Sequence, residues 1–123
     1  MIVLLKNDKS TLPLSVNKVK SVAVIGPQAN ATQDLLSNYH GTNTLVNSHS
    51  VLAGIINLAG QAVSVDYVAG LEDVASNDTS EFDEAAGAAK KCDVAIICIG
   101  MTTKQESEGH DRMDLLLPGA QQE

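Results

Sequence analysis

Two carboxylates two residues apart, Glu106 and Glu108, stand in the segment of this 123-residue chain best equipped for chemistry, Gln105-Glu106-Ser107-Glu108-Gly109-His110-Asp111-Arg112. In an extended loop, side chains at i and i+2 point the same way, so both groups can approach one ligand. A positioned carboxyl group can give or take a proton at a reacting atom. It works as an acid only if burial or a neighbouring anion raises its pKa. Asp111 and Arg112 read as a local hydrogen-bonded pair that shapes the loop, and His110 as an exposed side chain within reach of a ligand hydroxyl.

The elements before this loop decide where it sits. The apolar run Val94-Ala95-Ile96-Ile97-Cys98-Ile99 ends at Gly100 and reads as a buried strand. A strand emptying into a carboxylate-rich loop puts those groups at the carboxyl edge of a sheet, where open α/β folds place their sites. Ser21 to Ile25, closed by Gly26-Pro27, reads as a central strand, and Ala62 to Val68, between Gly60 and Gly70, as another. Between them Val51-Leu52, Ile55-Ile56 and Leu58-Ala59 carry helical spacing, with Ser50 as N-cap and Gly60 as terminator. A second helix precedes the third strand: Ser80-x-x-Asp83 has the form of a capping box, Phe82, Ala85, Ala86 and Ala89 share a face, and Lys90-Lys91 suit the negative end of the helix dipole. Alternation of strand and helix implies right-handed crossovers, hence an α/β fold with a parallel sheet and helices on both faces. Ile2 to Leu5 is expected to end a helix packed on the sheet, Pro13 marks the approach to the first strand, and Pro118 fits the first turn of a last helix.

Composition removes several function classes. The net charge is −7, and no basic stripe interleaves with aromatics to meet a phosphate backbone, so nucleic acid is not an expected partner. The apolar runs fall far short of the ~20 residues of a membrane helix. Cys92 and Cys98 lie six residues apart on a strand-like run, about 20 Å at ~3.3 Å per residue, too far to pair. Neither sits in a metal-ligand spacing, and the cysteines read as small apolar residues. The Gly26-Pro27 turn lacks Gly-x-Gly-x-x-Gly and Gly-Lys-Ser/Thr, and Pro27 removes an N–H that a phosphate cradle would use. A nucleotide-binding module is therefore the weaker alternative, and no cofactor is expected. Asn30-Ala31-Thr32 and Asn77-Asp78-Thr79 match the N-glycosylation pattern and point towards a secreted protein.

Glu106-Ser107-Glu108-Gly109-His110-Asp111-Arg112, followed by Leu115-Leu116-Leu117-Pro118-Gly119-Ala120-Gln121, resembles the Glu-x-Glu-Gly-x-Asp-Arg…Leu-Pro-Gly-x-Gln signature of the second domain of glycoside hydrolase family three. Ile2 to Asn7 with Leu12-Pro13-Leu14, Val22 to Pro27 with Ala29-Asn30, Asn38-Tyr39-His40-Gly41, and Ala89 to Val94 are similar to that domain in the same order. The spacing looks most like the β-xylosidase and β-glucosidase branch. The resemblance implies exo-acting removal of a β-linked sugar with retention, a reaction that uses two carboxyl groups about 5 to 5.5 Å apart. It further implies that the nucleophile sits on a separate N-terminal barrel domain and that a Glu of this loop is the acid/base. Glu108 is the first choice and Glu106 the rival, for both match the pattern. Arg112, Asp111 and His110 are candidate substrate contacts, His110 at a position that varies in the family, and Tyr39 reads as a half-buried structural residue, with a stacking face for sugar as the alternative. The family's domain is longer than this chain, which starts at Met1 inside an element and stops at Glu123 where a helix should begin, so a truncated domain is expected. A non-catalytic, carbohydrate-contacting module is the remaining alternative.

Overall fold

A computed structural model describes residues 2–36, 38–42 and 49–123; Met1 lies outside them. Strands β1 (Ser21–Ile25), β2 (Ser64–Val68) and β3 (Val94–Ile97) and helices α1 (Val51–Ala59) and α2 (Phe82–Lys91) alternate along the chain. The sheet has the order β2-β1-β3, with both pairs parallel, so the central position expected for Ser21 to Ile25 is borne out. Ser21 pairs with Ser64 and Val22 with Val94. Their starts are tied by Asp93, whose carboxylate accepts from the amides of Lys20 (2.8 Å) and Ser21 (3.0 Å). Those two hydrogen bonds hold the Asp93 carboxyl below its ordinary range.

The core lies on both faces of β1. Val22 and Val24 pack with Leu52 and Ala59 of α1, while Ala23 and Ile25 pack with Val68 and with Ala88 of α2. Val24 has no exposed surface, and burial of such a side chain contributes about 1.5–3 kcal/mol. The strand that anchors the sheet is thus apolar on every residue after Ser21, as a strand covered on two faces must be.

Helix α1 forms as its sequence dictates: the Ser50 hydroxyl accepts from the Ala53 amide at 3.0 Å, and Gly60 closes it with its N–H on Ile56 O. The rest of the expected boundaries need correction. Ile2 to Leu5 is not helical and does not pack on the sheet, for Ile2 and Leu5 are more than nine-tenths exposed. Ala62 and Val63 precede β2 because the Ala62 N–H is spent on Ala59 O at the end of the α1 turn. Cys98 and Ile99 follow β3 because the chain of β1 turns away at Gly26, although Cys98 N still donates to Ile25 O at 2.7 Å.

No capping box starts α2. The Ser80 amide turns back to the Asp78 carboxylate (2.9 Å), and the N-cap is Glu81, whose own carboxylate receives the Gly70 amide (3.1 Å) and ties α2 to the exit of β2. The buried alanine of α2 is Ala88, with Ala85 and Ala89 beside it, whereas Ala86 faces solvent. Pro118 opens a turn over 118–122, not a helix. Among the described residues no helix is long and apolar enough to cross a membrane.

Candidate active site

The loop after β3 leaves the carboxyl edge of the sheet, as its placement after a parallel strand requires. Its first turn is closed by Gln105, whose Oε1 accepts from the Thr102 amide (3.0 Å) and hydroxyl (2.7 Å), while the Gln105 and Glu106 amides return to Thr102 O. A tight turn follows. Ser107 and His110 exchange both backbone hydrogen bonds (3.0 and 2.9 Å), leaving Glu108 and Gly109 at the tip. Gly109 has φ +74, the value demanded at the third position of a type II turn and one that glycine adopts without strain.

This turn gives the two carboxylates different surroundings. Glu106 is ion-paired with Arg112, Oε2 to Nε at 3.1 Å, with side-chain exposures of 53% and 25%. The guanidinium is fixed in turn by Met101 Sδ (2.9 Å) and Leu116 O (3.1 Å). Glu108, at the tip, accepts a hydrogen bond from the Tyr39 phenol, and that contact raises the Tyr39 pKa above its ordinary value. Tyr39 is not half-buried: it is 77% exposed.

Arg112 therefore does not pair with Asp111. Its side chain folds back to Glu106 across the turn, and Asp111 is exposed with no side-chain partner among the described residues. His110 is exposed, as expected, and enters the turn through its backbone alone. The five sequence-selected residues thus occupy one loop, but only Glu106 and Arg112 touch through side chains.

Two features were not read from the sequence. The Asn38-Tyr39-His40-Gly41 segment supplies a side chain to Glu108, a contact between distant segments that no local pattern encodes. The second is the Pro118-Gly119-Ala120-Gln121 turn, which carries a clasp at the base of the loop. Gln121 bonds Gly100 through both N–H (2.8 Å) and C=O (2.9 Å). The sequence there implies only a helix start at Pro118.

The Gly26 turn is no phosphate cradle. Its amides are already committed, Gly26 N to Val68 O, Gln28 N to Cys98 O and Ala29 N to Gly26 O. Among the described residues no group of three or more His, Cys, Asp or Glu could hold a metal ion. Cys92 and Cys98 are free thiols, and partial burial pushes the Cys98 thiol up; both are half-buried rather than sealed in the core.

A parallel α/β sheet that presents a Glu-x-Glu loop at its carboxyl edge, clasped by a Pro-Gly-x-Gln turn, defines the class. The profile described as "Glycosyl hydrolase family 3 C-terminal domain" matches residues 2–123, and the chain belongs to that family. It is 42% identical over 122 residues to Beta-D-xylosidase 3 of Arabidopsis thaliana, and 40% identical over 122 residues to Beta-xylosidase/alpha-L-arabinofuranosidase 2 of Medicago sativa subsp. varia. Each alignment covers 99% of this chain and 15% of the relative, so the chain spans about a seventh of their length. A solved GH3 exo-β-xylosidase, XlnD, in complex with a xylobiose aziridine activity-based probe, superposes with a TM-score of 0.82 at 42% identity, covering 97% of this chain and 14% of that one.

Proposed function

We propose that this domain brings the acid/base carboxylate to an active site completed by an N-terminal barrel domain that bears the nucleophile, in a retaining, exo-acting β-glycosidase. The substrate class is terminal β-D-xylosides, since the relatives are named β-xylosidases; β-D-glucosides are the second class to assay. The observation that carries the reading is the placement of the Glu-x-Glu loop after β3, at the carboxyl edge of a parallel sheet in a domain that matches the family from residue 2 to residue 123.

In this mechanism Glu108 protonates the leaving oxygen while the barrel's carboxylate attacks the anomeric carbon. It then takes a proton from the water that releases the sugar. Glu108 stands at the exposed tip, where a bound sugar and the barrel domain can complete its surroundings, whereas Glu106 is already held in an ion pair by Arg112. Hydroxyls of the sugar would find His110 and Asp111 exposed beside the tip. A secreted protein fits this reading, and of the two glycosylation triplets only Asn77 has a side chain without a partner among the described residues, Asn30 Oδ1 being engaged by Ser50.

The second reading gives the acid/base role to Glu106. It is favoured by the fixed position that Arg112 imposes, since catalytic groups need to be held to a fraction of an ångström. Alanine variants of each, in the protein that joins this domain to its barrel, separate the two. Loss of the acid slows substrates with poor leaving groups far more than activated aryl glycosides, and azide restores rate by replacing the base. If Glu106→Ala alone behaves so, the roles are exchanged; if neither does, the loop is structural.

A further inference from the structure

Gln121 sits at the foot of the carboxylate loop, thirteen residues from Glu108, and is half-buried. Its Oε1 accepts the Gly100 N–H at 2.8 Å, and its Nε2 lies 2.8 Å from Val74 O and 2.9 Å from both Gly100 O and Pro118 O. Two amide N–H groups are therefore shared among three carbonyls that converge on one nitrogen. Towards Gly100 the side-chain amide does what the backbone of a neighbouring strand would do, pairing with N–H and C=O of the same residue just where β3 has run out of strand partners.

The rest of the turn seats the clasp. Ala120 is buried and its amide donates to Ser76 O at 2.9 Å. Gly119, at φ +60, lies so close to the Ala75–Ser76 backbone that a Cβ there would overlap the Ser76 carbonyl oxygen. Val74, whose carbonyl Gln121 holds, is itself 4% exposed. Both ends of the excursion from Gly100 to Gln121 are thus tied to one another and to a third segment that is packed into the domain.

We infer that Gln121 is a positioning residue for the acid/base, fixing the departure of the loop from β3 and through it the distance of the Glu106 and Glu108 carboxylates from the sheet. This deepens the proposed function and rests on it. Its amide is committed to backbone groups of Gly100, Val74 and Pro118, so it acts through Gly100 and the turn that follows.

The test uses two variants of nearly equal size in the protein carrying its barrel. Gln121→Glu keeps the acceptor for Gly100 N–H but sets a carboxylate against three carbonyl oxygens, and Gln121→Met removes both functions. A displacement of about 1 Å at the reacting atoms costs on the order of 100-fold. That is the expected fall in kcat on alkyl xylosides, with KM little changed and dinitrophenyl xylosides much less affected. Equal losses on both substrates, or a lowered Tm with unchanged kcat, would overturn the inference. Amide exchange in the unaltered protein needs no variant: slow exchange at Gly100 supports the clasp, even if neither variant folds, and exchange as fast as at Gly109 overturns it. If Glu106 and Glu108 variants show no leaving-group dependence, the proposed function is what has failed, and Gly100 exchange alone judges the clasp.

Discussion

The base and the tip of the loop after β3 solve opposite problems with the same chain. At the base, Gly100, Pro118, Val74 and Ser76 are joined by hydrogen bonds of 2.8 to 2.9 Å through Gln121 and Ala120, and buried side chains stand behind them. At the tip, Ser107 and His110 keep only their two mutual backbone bonds, and Glu108, Gly109 and His110 are exposed. Stability is not uniform across a structure, and segments that meet ligands come from its weaker end. A rigid foot under an exposed tip lets a carboxylate be presented at a fixed height while its own environment is left for the ligand and a neighbouring domain to complete.

The sharpest way to break this contrast is at the tip's chemistry. In the protein joined to its barrel, Glu108→Ala should lower turnover of substrates with poor leaving groups by about 10²–10⁴-fold, the range for a lost general acid. Glu106→Ala should cost much less, and steady-state kinetics across a leaving-group series measures both. The next effect belongs to the base. Gly119→Ala should destabilise the domain by about 1–3 kcal/mol in urea or thermal unfolding, from left-handed backbone strain and from the overlap of its Cβ with the Ala75–Ser76 backbone. Gly109→Ala at the tip has the same sign of φ, +74, but nothing within 4 Å of its Cβ, so only the conformational part remains, about 1–2 kcal/mol. Equal losses at the two glycines would mean that the base is no tighter than the tip.

Most of the fold was legible because its signals are local. The apolar run in β1, the Ser50 cap and the Gly60 stop of α1 each act within a few residues, and each is met. The α2 capping box failed for a long-range reason: Glu81 is drawn to the Gly70 amide, eleven residues away, and Ser80 turns to Asp78. The helix expected at Ile2 to Leu5 is absent, because an apolar run is equally compatible with an exposed extended segment. Of the site, residue types and the carboxyl-edge placement were legible. The partner of each carboxylate was not, since Tyr39 comes from a distant segment and Arg112 reaches over its neighbour Asp111 to Glu106.

Arg112 tests where base and tip join. Its ion pair with Glu106 is partly exposed, and such pairs contribute about 0–1 kcal/mol, so Arg112→Met should shift the unfolding midpoint only slightly and less still at high salt. Arg112→Lys should not restore the wild-type arrangement, because one ammonium cannot serve Glu106, Met101 and Leu116 O together as the guanidinium fork does. Chemical-shift changes in the two variants that spread from Met101 to Leu116 would support this; changes confined to Glu106 would count against it.

The smallest effect is a titration at the tip. The hydrogen bond to Glu108 raises the Tyr39 pKa above 10.0, the ordinary value, since a phenolate beside a carboxylate is disfavoured and loses its donated proton. A group with a raised folded pKa stabilises the fold fully below its unfolded value, and that contribution is lost as pH rises through the folded pKa. Tyr39 therefore favours the folded state up to about pH 10 and ceases to do so above it. The chain has two tyrosines, and Tyr67 is also raised, chiefly by burial, so the measurement belongs in a Tyr67→Phe background. There, the ultraviolet titration of Tyr39 should move down towards 10.0 when Glu108 is replaced by alanine and stay in place when Glu106 is. A midpoint indifferent to Glu108 would mean that Tyr39 does not meet the tip, and would leave Glu108 without a side-chain neighbour among the described residues.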